Sequence, residues 1–191
     1  MSSSWKTDPA AGARARTLET LLELAGPLGP MGSIEAREAR RGEVTSRAPD
    51  WLFDGLVSIL TDRPDLPATV SWDDVELEIV DLLGALSARP DLLARLVPLL
   101  DRPSARRTVI EALGPIGDPH AVKDLERMYD RGQLDADELT RLANSLGEIG
   151  GDAAAALLHR IATRNNLPPE ARAEVDLALE RLGGTDDPAD P

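Results

Sequence analysis

The sequence Leu-Gly-Pro-Ile-Gly at residues 113–117 decides the fold, because it recurs at a spacing of 33 residues. It returns as Leu-Gly-Glu-Ile-Gly at residues 146–150 and, in a diverged form, as Leu-Glu-Arg-Leu-Gly at residues 179–183. A fixed period of this length is typical of stacked helix pairs, in which no single pair can bury its apolar face and the neighbouring pairs supply the core. The repeat therefore predicts an all-α chain, built as an α-solenoid of stacked antiparallel helix pairs.

Each repeat is predicted to hold a first helix, called A, and a second helix, called B. In the first regular repeat Val109, Leu113 and Ile116 recur at helical spacing and predict the apolar face of an A helix. The predicted apolar face of the following B helix consists of Ala121, Val122, Leu125 and Met128. Residues of the same character recur 33 positions later, so the two helices are expected to pack as a pair.

Glycine and aspartate are predicted to mark the helix ends of each repeat. Gly117 and Gly150 directly follow the A helices, where a residue in the left-handed conformation often ends the last turn, and Gly183 takes the equivalent place. Asp118 and Asp152 come next and are predicted to cap the B helices through their side chains.

The predicted domain organisation is one folded domain with two disordered ends. Residues 1–13 are expected to form a disordered arm, and the acidic tail 184–191 is expected to be disordered as well. The domain spans 14–183, with a diverged capping region at 14–72 and regular repeats at 73–183.

Composition and charge limit the classes of function. The chain has 191 residues, no cysteine, and 34 acidic against 21 basic residues, which give a net charge of -13. Thiol chemistry and disulfides are excluded, while phosphate backbones and anionic membranes would be repelled on average. No apolar run approaches the roughly 18 residues that span a bilayer. We therefore expect a cytoplasmic protein that binds neither nucleic acid nor membrane.

Residues 110–125 carry a resemblance to a known family. They read Ile-Glu-Ala-Leu-Gly-Pro-Ile-Gly-Asp-Pro-His-Ala-Val-Lys-Asp-Leu and closely resemble the short HEAT-like repeat, a type also found in phycobilin lyases. The resemblance covers about residues 73–183. It implies a right-handed helical solenoid whose B helices line the concave face. It also implies a role as a scaffold, adaptor or assembly factor, or less often as a chromophore-handling lyase.

Arginines at repeated positions of the B helices are the best candidates for a binding site. A stripe of guanidinium groups would suit a carboxylate or a phosphate of a partner. The alternative is that arginines near helix ends meet the negative end of the helix dipole and pair with nearby acids such as Asp101, Glu126 and Asp130. The predicted partner-binding residues are Arg102, Arg131 and Arg164 in one column, Arg127 and Arg160 in a second, and His159 beside them.

No residue pattern indicates catalysis, a cofactor or a metal. A zinc or acid-base site needs three or four converging ligands, whereas His120 and His159 lie in different repeats and the chain has no cysteine. No nucleophile elbow or phosphate-binding glycine loop is present. The repeat motif carries no catalytic residues, so the resemblance adds none.

These observations favour a noncatalytic protein–protein interaction scaffold or adaptor that presents a concave B-helix surface. The negative charge favours a protein partner with a basic patch, and such binding is expected to weaken with salt. The alternative is a phycobilin-lyase-like chaperone for a chromophore or a modified protein. A nucleic-acid-binding HEAT-like protein is less favoured, because about five arginines would have to overcome the charge of -13.

Overall fold

The computed structural model describes residues 9–26, 33–47 and 49–183, and the regular secondary structure of these residues is helical, with no strand among them. The chain divides into two compact units, Met1–Leu86 and Ser87–Pro191. The first unit contains α1 Pro9–Ala25, α2 Ile34–Thr45, α3 Asp50–Thr61 and α4 Trp72–Ala85. The second contains α5 Leu92–Leu96, a 3₁₀ helix Val97–Asp101, α6 Pro103–Ile116, α7 Ala121–Asp130, α8 Ala136–Ile149, α9 Gly151–Ala162 and α10 Pro169–Gly183.

In the first unit α1 packs against α3 and α4. The close approach of α3 to α1 depends on Gly55, which is buried. A Cβ atom built on Gly55 would lie 2.8 Å from the carbonyl oxygen of Ala13 and would collide with the side chain of Thr17. The Thr17 hydroxyl donates a hydrogen bond of 3.3 Å to the carbonyl of Trp51. A glycine on α3 and a small face on α1 therefore bring the two backbones together.

The ends of the chain lie largely outside the described residues. Helix α1 begins at Pro9, so residues 9–13 of the predicted disordered arm are helical. Residues 1–8 and the predicted acidic tail 184–191 are not among the described residues.

In the second unit the A helices α6, α8 and α10 pack most extensively on one another. The second residue of the recurring motif makes this possible, because a Cβ on Gly114 would lie 3.1 Å from the Cα of Ser145. Thirty-three residues later, a Cβ on Gly147 would lie 2.9 Å from the Cβ of Ala178. The equivalent residue of α10 is Glu180. Gly114 and Gly147 therefore allow close contact between A helices. This role differs from the helix-ending role predicted for Gly117 and Gly150.

Pro98 divides the first B segment of this unit. The sequence predicts one B helix over residues 91–100, whereas α5 ends at Leu96 and the 3₁₀ helix Val97–Asp101 follows. Proline has no backbone N–H and clashes with the preceding turn, which favours the tighter 3₁₀ winding over a continuous α-helix.

The predicted helix ends are correct for some residues and wrong for others. Gly117 ends α6 in the left-handed conformation, with φ of 68°, and Gly150 follows α8 with φ of 74°. Gly183, in contrast, lies inside α10 as its final residue. Neither predicted aspartate cap forms: α7 has His120 at its N-cap, and α9 has Gly150 there with no side-chain cap. A turn that ends at His120 precedes α7, and Gly150 precedes α9, so neither aspartate occupies the capping position.

No helix of the described part of the chain combines the length and apolar character needed to cross a membrane.

Candidate functional site

Three B segments of the second unit carry all the predicted site residues. We call residues 92–102, 121–131 and 151–164 together the B-helix surface. They hold seven lysines and arginines against five aspartates and glutamates, although the whole chain is strongly acidic. The charge of this surface is thus opposite in sign to that of the protein.

Two of the predicted arginines join the B segments of neighbouring repeats. Arg131 donates to the carboxylate of Asp101, which lies 30 residues earlier in the chain. Arg160 donates to Glu126 and Asp130 of the preceding repeat, and its guanidinium also lies 5.9 Å from the ring centre of Tyr129. The hydrogen bond to Asp130 raises the pKa of Arg160 above its ordinary value, so its charge is fixed at any pH of interest.

These contacts are the ion pairs that the alternative interpretation of the arginine columns requires. The three acids are Asp101, Glu126 and Asp130, the residues that the sequence indicated as partners. Arg127 also has a partner, because its guanidinium lies 2.8 Å from Asp124 on the same helix. Three of the five predicted arginines are therefore engaged within the protein.

The remaining predicted residues point to a surface that is available for binding. Arg102, Arg164 and His159 are exposed, and none of them pairs with a carboxylate of the described residues. Lys123 of α7 is exposed and unpaired within the same part of the chain. The surface therefore offers three cations that no described acid neutralises.

An apolar groove of about 420 Å³ lies between α7 and α9, and sequence reasoning missed it. Its apolar lining includes Val122 and Leu157, which are 4% and 2% exposed. Ala153 and Ala156 line it from α9 and are exposed. The signal was the alanine run at residues 153–156, because methyl groups on the outer side of a helix leave a neighbouring groove open. We call this the α7–α9 groove.

Two smaller hollows, of about 220 and 250 Å³, share Asp101, Met128 and Arg131. The smaller one also contacts Arg106, whose Nε donates a hydrogen bond of 2.8 Å to the carbonyl of Leu100. The Arg106 guanidinium lies 3.6 Å from Glu138. Since the cations of these hollows each face an acid, they add no unbalanced charge to the surface.

His120 contacts Asp118 in the turn before α7. His120 Nδ1 lies 2.8 Å from Asp118 Oδ1, and the same oxygen accepts a hydrogen bond from the His120 backbone N–H. These bonds, the backbone one first, hold the pKa of Asp118 below its ordinary value. The His120 side chain is 89% exposed, so water surrounds it and no substrate is enclosed. The pair shapes the turn before α7.

Comparison with known proteins leaves the function to be argued from the site. No protein-family model matches the chain, and no curated protein matches it either. Among the described residues, no three histidine, aspartate or glutamate side chains are placed to hold a metal ion.

Proposed function

We propose that this chain is a noncatalytic interaction module, a scaffold or adaptor that binds another protein through its B-helix surface. Its helix pairs would form a right-handed HEAT-like solenoid in the cytoplasm. The observation that carries the proposal is the B-helix surface itself, where a cation surplus in an acidic protein lies beside an exposed apolar groove. Exposed apolar area rimmed by charge is typical of protein-binding sites.

The ion pairs between repeats support this role because they connect neighbouring B segments. Arg131 and Arg160 each reach a preceding B segment, so these exposed pairs add a modest contribution to the packing that orders the surface before a partner arrives. A preformed surface avoids part of the ordering cost of association. Arg102, Arg164 and His159 then remain free to meet the partner, and the net charge of -13 favours a partner that also carries a basic patch.

The test is the capture of a partner by a purified, tagged protein in cell extract at low salt. The key variant combines Arg102→Glu with Arg164→Glu, since both side chains are exposed and no described carboxylate pairs with them. The matched control combines Arg16→Glu with Arg47→Glu, which make the same charge change on exposed residues of the first unit. Circular dichroism melting verifies that all versions are folded.

We expect one captured protein, identified by mass spectrometry and then purified, to bind the parent and the control alike. Its dissociation constant for the key variant should rise by about tenfold or more, which corresponds to about 1.4 kcal/mol of binding free energy. Equal affinity for the key variant and the control would show that the Arg102 and Arg164 positions of the B-helix surface are not the binding site.

A further inference from the structure

The shape of the α7–α9 groove suits a peptide segment better than a small molecule. Along α7 its lining runs from His120 to Glu126, which is about 10 Å of helix. Its rim residues Lys123, Ala153 and Ala156 are exposed, so the groove is open to solvent along its length. A small ligand needs most of its surface buried, whereas an amphipathic helix needs to bury only one face.

The lining of the groove determines which face would enter it. Ala153 and Ala156 supply the exposed methyl groups of the lining, whereas Val122 and Leu157 line the groove with side chains that are largely buried. Ala156 and Lys123 occupy equivalent positions of successive repeats, so a short side chain and a long cationic one face the same groove. Aliphatic side chains of moderate size, such as leucine, suit this lining.

The charge at the groove determines the sign of the charge that suits the entering segment. Lys123 is a cation that pairs with no carboxylate among the described residues. Arg160, which also contacts the groove, is shared by the carboxylates of Glu126 and Asp130. Lys123 is thus the cation of the rim that no described carboxylate pairs with, on a surface with seven cations and five carboxylates. A carboxylate on the entering segment would complement it.

We propose that the α7–α9 groove binds an acidic amphipathic segment of the protein partner. Aliphatic side chains of that segment pack on Ala153 and Ala156, the exposed apolar residues of the lining, and one of its carboxylates pairs with Lys123. The proposal rests on the proposed function, because it names the chemistry of the partner at the same surface. It also distinguishes the contact at the groove from the overall charge, which favours basic partners.

The probe is a phage-displayed library of random peptides of about 12 residues, roughly three helical turns. Peptides selected on the parent protein are counter-selected on Ala156→Gln, which places bulk in the groove without a change of charge. We expect the remaining sequences to combine aspartate or glutamate with leucine, isoleucine or phenylalanine at helical spacing. A synthetic consensus peptide should then shift the methyl resonances of Ala153 and Ala156.

Two variants and one control measure the contributions to peptide binding. Ala156→Glu and Lys123→Glu should each raise the dissociation constant of the consensus peptide about tenfold or more. Ala173→Glu places the same new side chain on an exposed alanine of α10 and should leave the constant unchanged. Basic consensus sequences, or binding that Ala156→Glu leaves intact, would overturn the proposal.

Self-association is the remaining outcome that would count against the proposal. If sedimentation shows concentration-dependent association of the parent that Ala156→Glu abolishes, the occupant of the groove is a second copy of this chain. A partner whose binding depends on Arg102 and Arg164 but not on Ala156 would overturn the groove proposal and leave the proposed function standing. A partner that depends on neither pair of sites would remove the proposed function itself.

Discussion

At the scale of single residues, two buried hydroxyl groups on facing A helices differ in their bonding. The Ser145 hydroxyl donates a hydrogen bond of 2.8 Å to the carbonyl of Ile110. The Thr108 hydroxyl is buried and has no hydrogen-bond partner among the described residues. A hydroxyl group that is buried without a partner loses its hydrogen bonds to water and gains none within the protein. Both positions have zero solvent exposure, so the difference lies in bonding alone.

We predict that Thr108→Val raises the free energy of unfolding by about 1 kcal/mol, because valine keeps the shape and removes the unpaired hydroxyl. Ser145→Ala, the matched change in the same unit, should lower it by about 0.5–1.5 kcal/mol through loss of a satisfied bond. Urea denaturation measures both. A loss of stability in Thr108→Val would show that the hydroxyl is satisfied.

At the scale of helices, glycine contacts control how closely neighbouring helices approach. Gly55 allows α3 to pack on α1, and Gly147 allows α8 to pack on α10. Gly42 of α2 differs, since a Cβ built there would meet nothing within 4 Å. The same residue type thus has a packing role in one helix and none in another.

Gly55→Ala is expected to lower the free energy of unfolding by about 1–3 kcal/mol, because the added methyl would overlap Thr17 and the Ala13 carbonyl. Gly42→Ala should raise it by about 0.5–1 kcal/mol through better helix propensity. Both residues lie in the first unit, so thermal denaturation compares them directly. A stabilised Gly55→Ala variant would contradict the close approach of α1 and α3.

The turn between α6 and α7 gives a prediction about pH. The pKa of Asp118 is lowered in the folded protein by bonds from His120, so its ionised form favours folding. This contribution is fully present above the unfolded pKa of about 3.9 and is lost as the pH falls through the lower folded value. We expect the parent to be more stable than Asp118→Asn at pH 6.

The difference between the parent and Asp118→Asn should shrink steadily from about pH 5 downward. Melting temperatures over this range measure it. Asparagine keeps an oxygen that can accept the backbone N–H bond, so the variant isolates the effect of the charge. A difference that stays constant with pH would show that the charge of Asp118 does not contribute.

The helices of the regular repeats could be predicted because their apolar residues and glycines recur at one period. Pro98 interrupts the predicted B helix. The prediction followed the repeat period and overlooked the local effect of proline on a helix. The caps at Asp118 and Asp152 were misplaced because a turn and two glycines begin these helices instead. The presence of a helix can be predicted from periodicity, whereas its ends depend on the backbone conformation of single residues.

The sequence indicated the arginines of the candidate site and three acids near them, but not which arginine pairs with which acid. Arg131 and Arg160 lie at repeated positions, and their acids lie 30 or 34 residues earlier in the chain. Such pairs form only where two B segments lie side by side in the folded chain, so helical spacing within one segment does not reveal them. The α7–α9 groove was missed for the same reason, because it exists only between two repeats.

At the scale of the whole molecule, the charge of the B-helix surface opposes that of the protein. A carboxylate near Lys123 is attracted at short range, whereas the same segment is repelled at long range by the net charge of -13. Screening acts more strongly on the long-range part, since the Debye length is about 10 Å at 0.1 M salt. The two effects can be separated in kinetics.

We predict that added salt increases the association rate of the acidic consensus peptide and also increases its dissociation rate. The first follows from reduced repulsion and the second from a weaker contact at Lys123. Surface plasmon resonance over a series of salt concentrations measures both rates, with a peptide carrying glutamine for glutamate as the control. An association rate that falls with salt would show that the field near the groove dominates.

The pairing of Arg131 and Arg160 with acids of the preceding repeat has a consequence for how such a chain can grow. A tandem duplication of residues 118–150 would carry both an acid for the following copy and an arginine for the preceding one. It would also carry the glycine at position 147 that admits a neighbouring A helix. Insertion of a repeat between existing ones thus preserves both the ion pairs and the contacts between A helices. Addition of a repeat after α10 would first require the replacement of Glu180, which takes the place of the glycine.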